Sequence, residues 1–322
     1  MAVQENRIDA EVTEKIERLV NCIEQVVYGK RDVVKLCVVG LLARGHILIE
    51  DVPGIGKTTI AHSIAKSIDC SFSRIQFTSD MLPSDVLGVS ILDPKTNDFE
   101  FRAGPIFNSV VLADEINRTP PKTQSALLEA MSEYQVSVDG HPHALPEPFM
   151  VLATLNPIEY EGTYVLPESQ LDRFLLRTEM GYPPAEDELR IMRRRNHLKA
   201  IDELQPVLTG AELLGLQDQV GDVIVDDSVA RYILAIVQAT REHDAVQLGA
   251  SPRGSLALFE ACQAKALVEG RSYVTPNDVK QMAVPVLSHR ILVKMRGADL
   301  STAAKERVRL IVEIVKNIQV PA

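Results

Sequence analysis

The chain contains no tryptophan, and aromatic residues make up only 5% of its 322 positions. Intrinsic fluorescence is therefore a poor reporter of anything it binds. Its four cysteines, Cys22, Cys37, Cys70 and Cys262, are far apart and form no CxxC pair. Zinc sites and disulfide frameworks use closer, repeated spacings, so these thiols are expected to be reduced and mostly buried. No apolar run approaches the ~18–20 residues that span a bilayer. Met1 to Ala10 is polar and mixed in charge, unlike a signal peptide. A soluble, cytoplasmic protein is expected. Basic residues are short as well: 34 Lys and Arg stand against 44 Asp and Glu, a formal net charge of −10. Proteins that coat DNA draw on clustered Lys and Arg, so the balance counts against that class, although a local basic patch would escape it.

What is present is an ordinary folded composition, 46% hydrophobic and 24% charged, with length for two domains. Short apolar runs alternate with helical patterns through the first half, the signature of an α/β domain with a parallel sheet. Five strands are expected: His46–Glu50, Phe72–Phe77, Ser109–Ala113, Phe149–Thr154 and Phe174–Thr178. Two hairpins, at about 86–104 and 134–147, interrupt this order around Asp93-Pro94-Lys95-Thr96-Asn97-Asp98 and Asp139-Gly140. Both read as insertions rather than sheet members. Gly181-Tyr182-Pro183-Pro184 closes the first domain, 1–182, because consecutive prolines continue neither a helix nor a central strand. The second, 183–322, reads as helical throughout. Its last helix places Val308, Ile311, Val312, Val315 and Ile318 on one face.

The first strand runs into Asp51-Val52-Pro53-Gly54-Ile55-Gly56-Lys57-Thr58, and a helix follows from Thr59. Strand, glycine-containing loop with Gly-Lys-Thr, then helix is the context a phosphate-binding loop requires. Successive backbone N–H groups and the positive helix end cradle phosphates. Lys57 is placed to reach the β and γ oxygens, and the Thr58 hydroxyl to bind Mg²⁺. The pattern asks for glycine where Asp51 stands; Asp tolerates left-handed backbone, which would let the loop close. About 55 residues later, Val110-Val111-Leu112-Ala113 ends in Asp114-Glu115. Asp114 is placed to hold Mg²⁺ through water and Glu115 to polarise an attacking water.

With these motifs, the run Ala113-Asp114-Glu115-Ile116-Asn117-Arg118-Thr119-Pro120-Pro121-Lys122 and Leu171-Asp172-Arg173-Phe174, the chain resembles the MoxR branch of the AAA+ ATPases from about Ile23 to its C-terminus. The resemblance implies a P-loop AAA+ core with a five-stranded parallel sheet in the order 5-1-4-3-2, plus a C-terminal all-α lid. It implies ATP and Mg²⁺ as ligands and a homo-oligomeric ring, a hexamer, with each site shared between subunits. The hairpins correspond to the family's helix-2 insert and the hairpin before its sensor-1 strand. Asn156 matches sensor 1, Arg173 the arginine finger that reaches the neighbour's site, and Arg253 sensor 2 at the start of a lid helix. Tyr28-Gly29 falls where the family clasps adenine, and Thr59 closes the nucleotide-binding run.

Members resembling this chain act as chaperone-like motors on proteins with a von Willebrand factor A domain, or help insert a metal or cofactor. A nucleic-acid motor shares the hairpin layout, but neither hairpin tip is basic, as tracking a phosphate backbone would require. A nucleotide-gated scaffold with little hydrolysis has no need of Glu115, Asn156 and Arg173 together. His141 and His143 lack a third metal ligand nearby. Arg190, Arg193, Arg194 and Arg195 spread around a helix beside Glu186, Asp187 and Glu188, which reads as local charge pairing.

Overall fold

The computed structural model describes residues 10–95, 97–156, 164–193, 197–294 and 300–321. Met1, Thr96, Arg194 and Arg195, named above, lie outside these. In chain order the strands of the first part are β1 (Ile47–Glu50), β2 (Phe72–Gln76), β3 (Gly88–Asp93), β4 (Asp98–Ala103), β5 (Val110–Asp114), β6 (Gln135–Val138), β7 (His141–Ala144), β8 (Met150–Leu155) and β9 (Leu176–Thr178). The helices among them are α1 (Ala10–Glu24), α2 (Arg31–Leu42), α3 (Lys57–Ser67), α4 (Pro83–Leu87), α5 (Pro121–Glu133) and α6 (Glu168–Leu171). Five strands form one sheet in the order β2-β5-β8-β1-β9, with every pairing parallel. Counted as core strands and read from the other edge, this is the expected 5-1-4-3-2.

Alternation along the strands builds two cores, because successive side chains point to opposite faces. Ile47, Ile49, Val110, Leu112, Met150 and Leu152 join α1, α2 and α3 on one face. Leu48, Val111, Ala113, Val151 and Ala153 meet Leu127, Leu128 and Met131 of α5 on the other. The two hairpins, β3–β4 and β6–β7, are separate antiparallel pairs outside the sheet, as expected. They touch through His143, whose ring stacks on Phe101 at 3.8 Å between centroids. That contact gives the histidine a packing partner.

The remainder comprises α7 (Ala185–Arg193), α8 (His197–Asp202), α9 (Gly210–Val220), α10 (Asp227–Glu242), α11 (Pro252–Val268), α12 (Pro276–Leu287) and α13 (Leu300–Asn317). Reciprocal capping starts α9 through Thr209 and Glu212, and α12 through Thr275 and Asp278. This part is not helical throughout. Strands β10 (Val246–Leu248) and β11 (Leu292–Val293) pair antiparallel, stapling the end of α10 to the segment after α12. The expected face of α13 also needs correction: Val312 is exposed, while Leu310, Ile311 and Ile314 are buried. Apolar residues at 308, 310, 311, 312, 314 and 315 wrap more than half of that helix, so periodicity alone could not choose the face. Arg190 pairs with Asp187 at 3.2 Å, as local charge pairing predicts. No helix among the described residues is long and apolar enough to cross a membrane. All four cysteines are free, and burial pushes the Cys37 thiol up to about 12.

His46, at the entrance to β1, is fully enclosed. Its Nε2 lies 2.9 Å from the Met131 carbonyl and its Nδ1 accepts the Val151 N–H at 3.1 Å, a pairing that only the neutral ring can make. Burial, opposed by the bond to Met131, lowers its pKa to about 4. An unfolded histidine titrates near 6.5, so unfolding takes up a proton between those values. The stability is complete above about pH 6.5 and is lost as pH falls toward 4. His289, also buried, is lowered in the same direction by burial and then by Arg290. Moving from pH 7 to pH 5 should therefore reduce the urea unfolding free energy by about 2 kcal/mol through His46, with His289 adding to the drop in the same direction. His46→Gln, which keeps a donor and an acceptor, should make that drop smaller by about 2 kcal/mol. An undiminished drop would show that His46 does not titrate as described.

Candidate active site and a second cavity

The parallel sheet brings the C-terminal ends of β1, β5 and β8 to one edge, where open α/β sheets bind ligands. A cavity of about 680 Å³ opens there. One wall is apolar, with Val26, Val27, Tyr28, Met180, Tyr182 and Ile191; the other carries Lys57, Thr58, Arg74, Gln76, Asp114 and Glu115. Pro53, Gly54, Ile55, Gly56 and Thr59 form its floor. Gly54 and Gly56 have φ of +85° and +98°, a backbone region where a side chain is strained. Their turn aims the N-terminus of α3 into the cavity. Tyr28 lines it, whereas Gly29 lies behind. At Gly29, with φ +66°, a Cβ would come within 2.3 Å of the Asp187 carboxylate, so glycine there lets α7 approach.

Asp51 does not adopt left-handed backbone. Its carboxylate instead accepts the N–H of Val52 at 2.8 Å and of Gly181 at 2.6 Å, clasping the loop to the segment after β9. Lys57 is buried, with its Nζ donating to the Asp51 carbonyl at 2.7 Å. Burial lowers its pKa, against the pull of Asp114, Asp51 and Glu115.

At the end of β5, Thr154 organises both carboxylates: its hydroxyl donates to Asp114 at 2.6 Å and accepts the Glu115 N–H at 2.8 Å. Asp114 also receives Arg74 at 2.6 Å. Glu115, at φ +58° and ψ 51°, accepts from Gln76 at 2.8 Å and Arg118 at 3.0 Å. Arg74 and Gln76 were not singled out from the sequence. The signal was there, because Arg74 and Gln76, at i and i+2 of the strand Phe72-Ser73-Arg74-Ile75-Gln76, project onto one face beside the end of β5. Asn156 is buried at the end of β8, but it is not among the residues lining this cavity.

Arg173 and Arg253 lie elsewhere. They line a cavity of about 440 Å³ together with Arg44, His46, Met131, Tyr134 and Arg290. Its residues 43–46 precede β1, whereas the phosphate loop follows it, so the two cavities lie at opposite ends of that strand. Arg173 does not pair with Asp172; it donates to the Leu128 carbonyl at 3.0 Å and to Ser132 on α5. Arg253 is exposed and has no hydrogen-bond or ion-pair partner among the described residues.

The donor set suits a magnesium nucleotide: ordered N–H groups, an ammonium, a hydroxyl and two carboxylates at one end, an apolar slot at the other. A model of the ATPase family associated with various cellular activities (AAA) matches residues 46–176, and an AAA lid model matches 238–311. The chain is 40% identical to Chaperone MoxR1 of Mycobacterium tuberculosis over 287 residues, 86% of this chain and 76% of that protein. It belongs to the MoxR family of AAA+ ATPases. This MoxR-type chain is also 52% identical to YeaC of Bacillus subtilis across 93% of both proteins. It matches a crystallised candidate ATPase from Cytophaga hutchinsonii with a TM-score of 0.87 and 35% identity, over 97% of this chain and 96% of that one. ATP hydrolysis is the activity of the MoxR-type chain, and nucleotide binding goes with the family.

The Asp51 clasp yields an expectation specific to this chain. Restoring the usual glycine with Asp51→Gly should destabilise the protein by about 1–3 kcal/mol, because two N–H groups lose their acceptor. It should also weaken ATP binding measured by calorimetry. Unchanged urea stability and affinity would mean that the clasp contributes nothing.

Proposed function

We propose that this chain is a Mg²⁺-dependent ring ATPase whose active sites are each completed by the neighbouring subunit, and whose output is chaperone-like remodelling of a partner protein. The observation that carries the reading is the placement of Arg173 and Arg253 across β1 from the phosphate loop. Neither arginine lines its own subunit's nucleotide cavity, whereas head-to-tail contact would bring this face against the next subunit's cavity. Heterologous contacts of that kind close into rings. Six subunits, a partner with a von Willebrand factor A domain, a role in metal or cofactor insertion and a cytoplasmic location are expectations from the family resemblance.

In this reading the N-terminus of α3 and Lys57 hold the phosphates, and Tyr28 with the apolar wall holds the base. Thr58 and Asp114 would hold Mg²⁺, which neutralises charge across the phosphates when bound. Glu115 orients the attacking water and takes up its proton. Asn156, buried at the end of β8 and outside the cavity lining, is assigned the water and terminal phosphate on its match to the family's sensor 1 alone. Arg173 and Arg253 reach the neighbour's terminal phosphate. The β3–β4 hairpin favours a protein partner over nucleic acid, since it exposes Val89, Ile91, Leu92 and Phe99, the last at 75%.

Lys57→Ala is expected to abolish ATP binding. Glu115→Gln should bind ATP but lose turnover by about 10²–10⁴-fold, and Arg173→Ala by about 10³-fold or more. Mixing these last two should restore part of the turnover, because some interfaces then pair an intact Glu115 with an intact Arg173. Mixed rings with no recovery would sink the shared-site reading.

A further inference from the structure

Ser251 occupies the N-cap position of α11, with extended backbone and Pro252 in the first helical position, yet its hydroxyl caps nothing. It donates instead to Asp172 Oδ2 at 3.0 Å, 79 residues away in sequence. The other oxygen, Oδ1, accepts from Arg290 Nε at 2.8 Å. Arg290 is only 6% exposed, in the turn after α12. Its remaining donors grip the same stretch of chain: the Phe174 carbonyl at 2.6 Å, Leu175 at 3.0 Å and Asp172 at 3.3 Å. A further bond returns to the Val286 carbonyl of α12.

The knot joins three segments distant in sequence. Asp172 is bonded directly to Arg173, and Ser251 stands two residues before Arg253. A buried guanidinium is tolerated only when its charge and donors are matched. Removing the Asp172 carboxylate would strand Arg290 without a counter-charge, so the contacts hold or fail together. A helix start that gives up its own cap to reach a distant carboxylate forgoes local stabilisation for a tertiary link.

We propose that Arg290, with Asp172 and Ser251, is a positioning device that makes the Arg173 segment and the start of α11 one rigid block. The two neighbour-facing arginines then move as a unit whenever the lid helices move. Arg290 itself touches no nucleotide in this account. The inference rests on the shared-site reading above.

The experiment uses Ser251→Ala, Asp172→Asn and Arg290→Lys in the full chain. Binding of a fluorescent ATP analogue, turnover alone, and turnover after mixing with Glu115→Gln subunits are measured for each. Affinity at the chain's own phosphate loop should stay within about twofold of the parent. Turnover should fall about fivefold in Ser251→Ala, the effect of one lost hydrogen bond, and more in the other two. Mixing should recover it, because Glu115→Gln subunits bring an intact knot to sites with an intact Glu115. Ser251→Ala loses no buried charge, so it decides the matter if the other variants fail to fold. Parent-like turnover in Ser251→Ala, or a loss that mixing does not repair, overturns the inference. In either case recovery in the Arg173→Ala and Glu115→Gln mixture leaves the shared-site reading standing, whereas its failure removes that reading first.

Discussion

The pairing of β1 with β8 on one side and β9 on the other fixes where the functional groups stand. β1 is four residues long and its apolar side chains are buried. At about 3.3 Å per residue it holds the phosphate loop at one end and the arginine-lined cavity at the other. Because the strand is hydrogen-bonded on both edges, neither end can drift relative to the other without breaking the sheet. A subunit built this way carries the phosphate-loop cavity on one face and the Arg173 and Arg253 cavity on another, the two halves that the proposed shared site would bring together. In the proposed reading, the requirement for a neighbour follows from the geometry of one strand.

Around that strand, polar groups are spent sparingly and each has a structural task. Thr154 sets Asp114 and Glu115 with one hydroxyl. Asp51 ties the phosphate loop to the exit of β9 through Gly181. Asp172 ties the entrance of β9 to the lid through Arg290 and Ser251. Both ends of β9 are thus anchored by a carboxylate, one beside the nucleotide cavity and one beside the second cavity. The lid is joined to the core by the ion pair of buried Arg290 with half-buried Asp172 and by continuous apolar packing of α1 and α2 against α9 and α11. Motion of the lid is therefore coupled to the segment that carries Arg173.

Much of this was legible in the sequence because the signals are local. Strand positions follow from short apolar runs, the phosphate loop from strand-loop-helix context, and the hairpins from turn chemistry at Asp93-Pro94 and Asp139-Gly140. What escaped depends on contacts across the chain. That Asp51 would work as an acceptor for Gly181, 130 residues away, has no local signature. The same holds for Asp172 choosing Arg290 over the adjacent Arg173, and for Ser251 abandoning its helix. The position of Arg253 away from its own phosphate loop depends on how α11 docks, which neither periodicity nor capping specifies. The β10–β11 staple is too short to stand out against helical surroundings.

In the proposed ring, one subunit holds half a site. The decisive measurement is ATP turnover per subunit across a wide range of protein concentration, with Mg²⁺ present and Glu115→Gln as the blank. Specific activity should rise with concentration to a plateau as rings assemble, and be absent in the blank. Turnover above the blank that is independent of concentration down to the monomer would contradict the shared site, because a lone subunit would then be a complete enzyme.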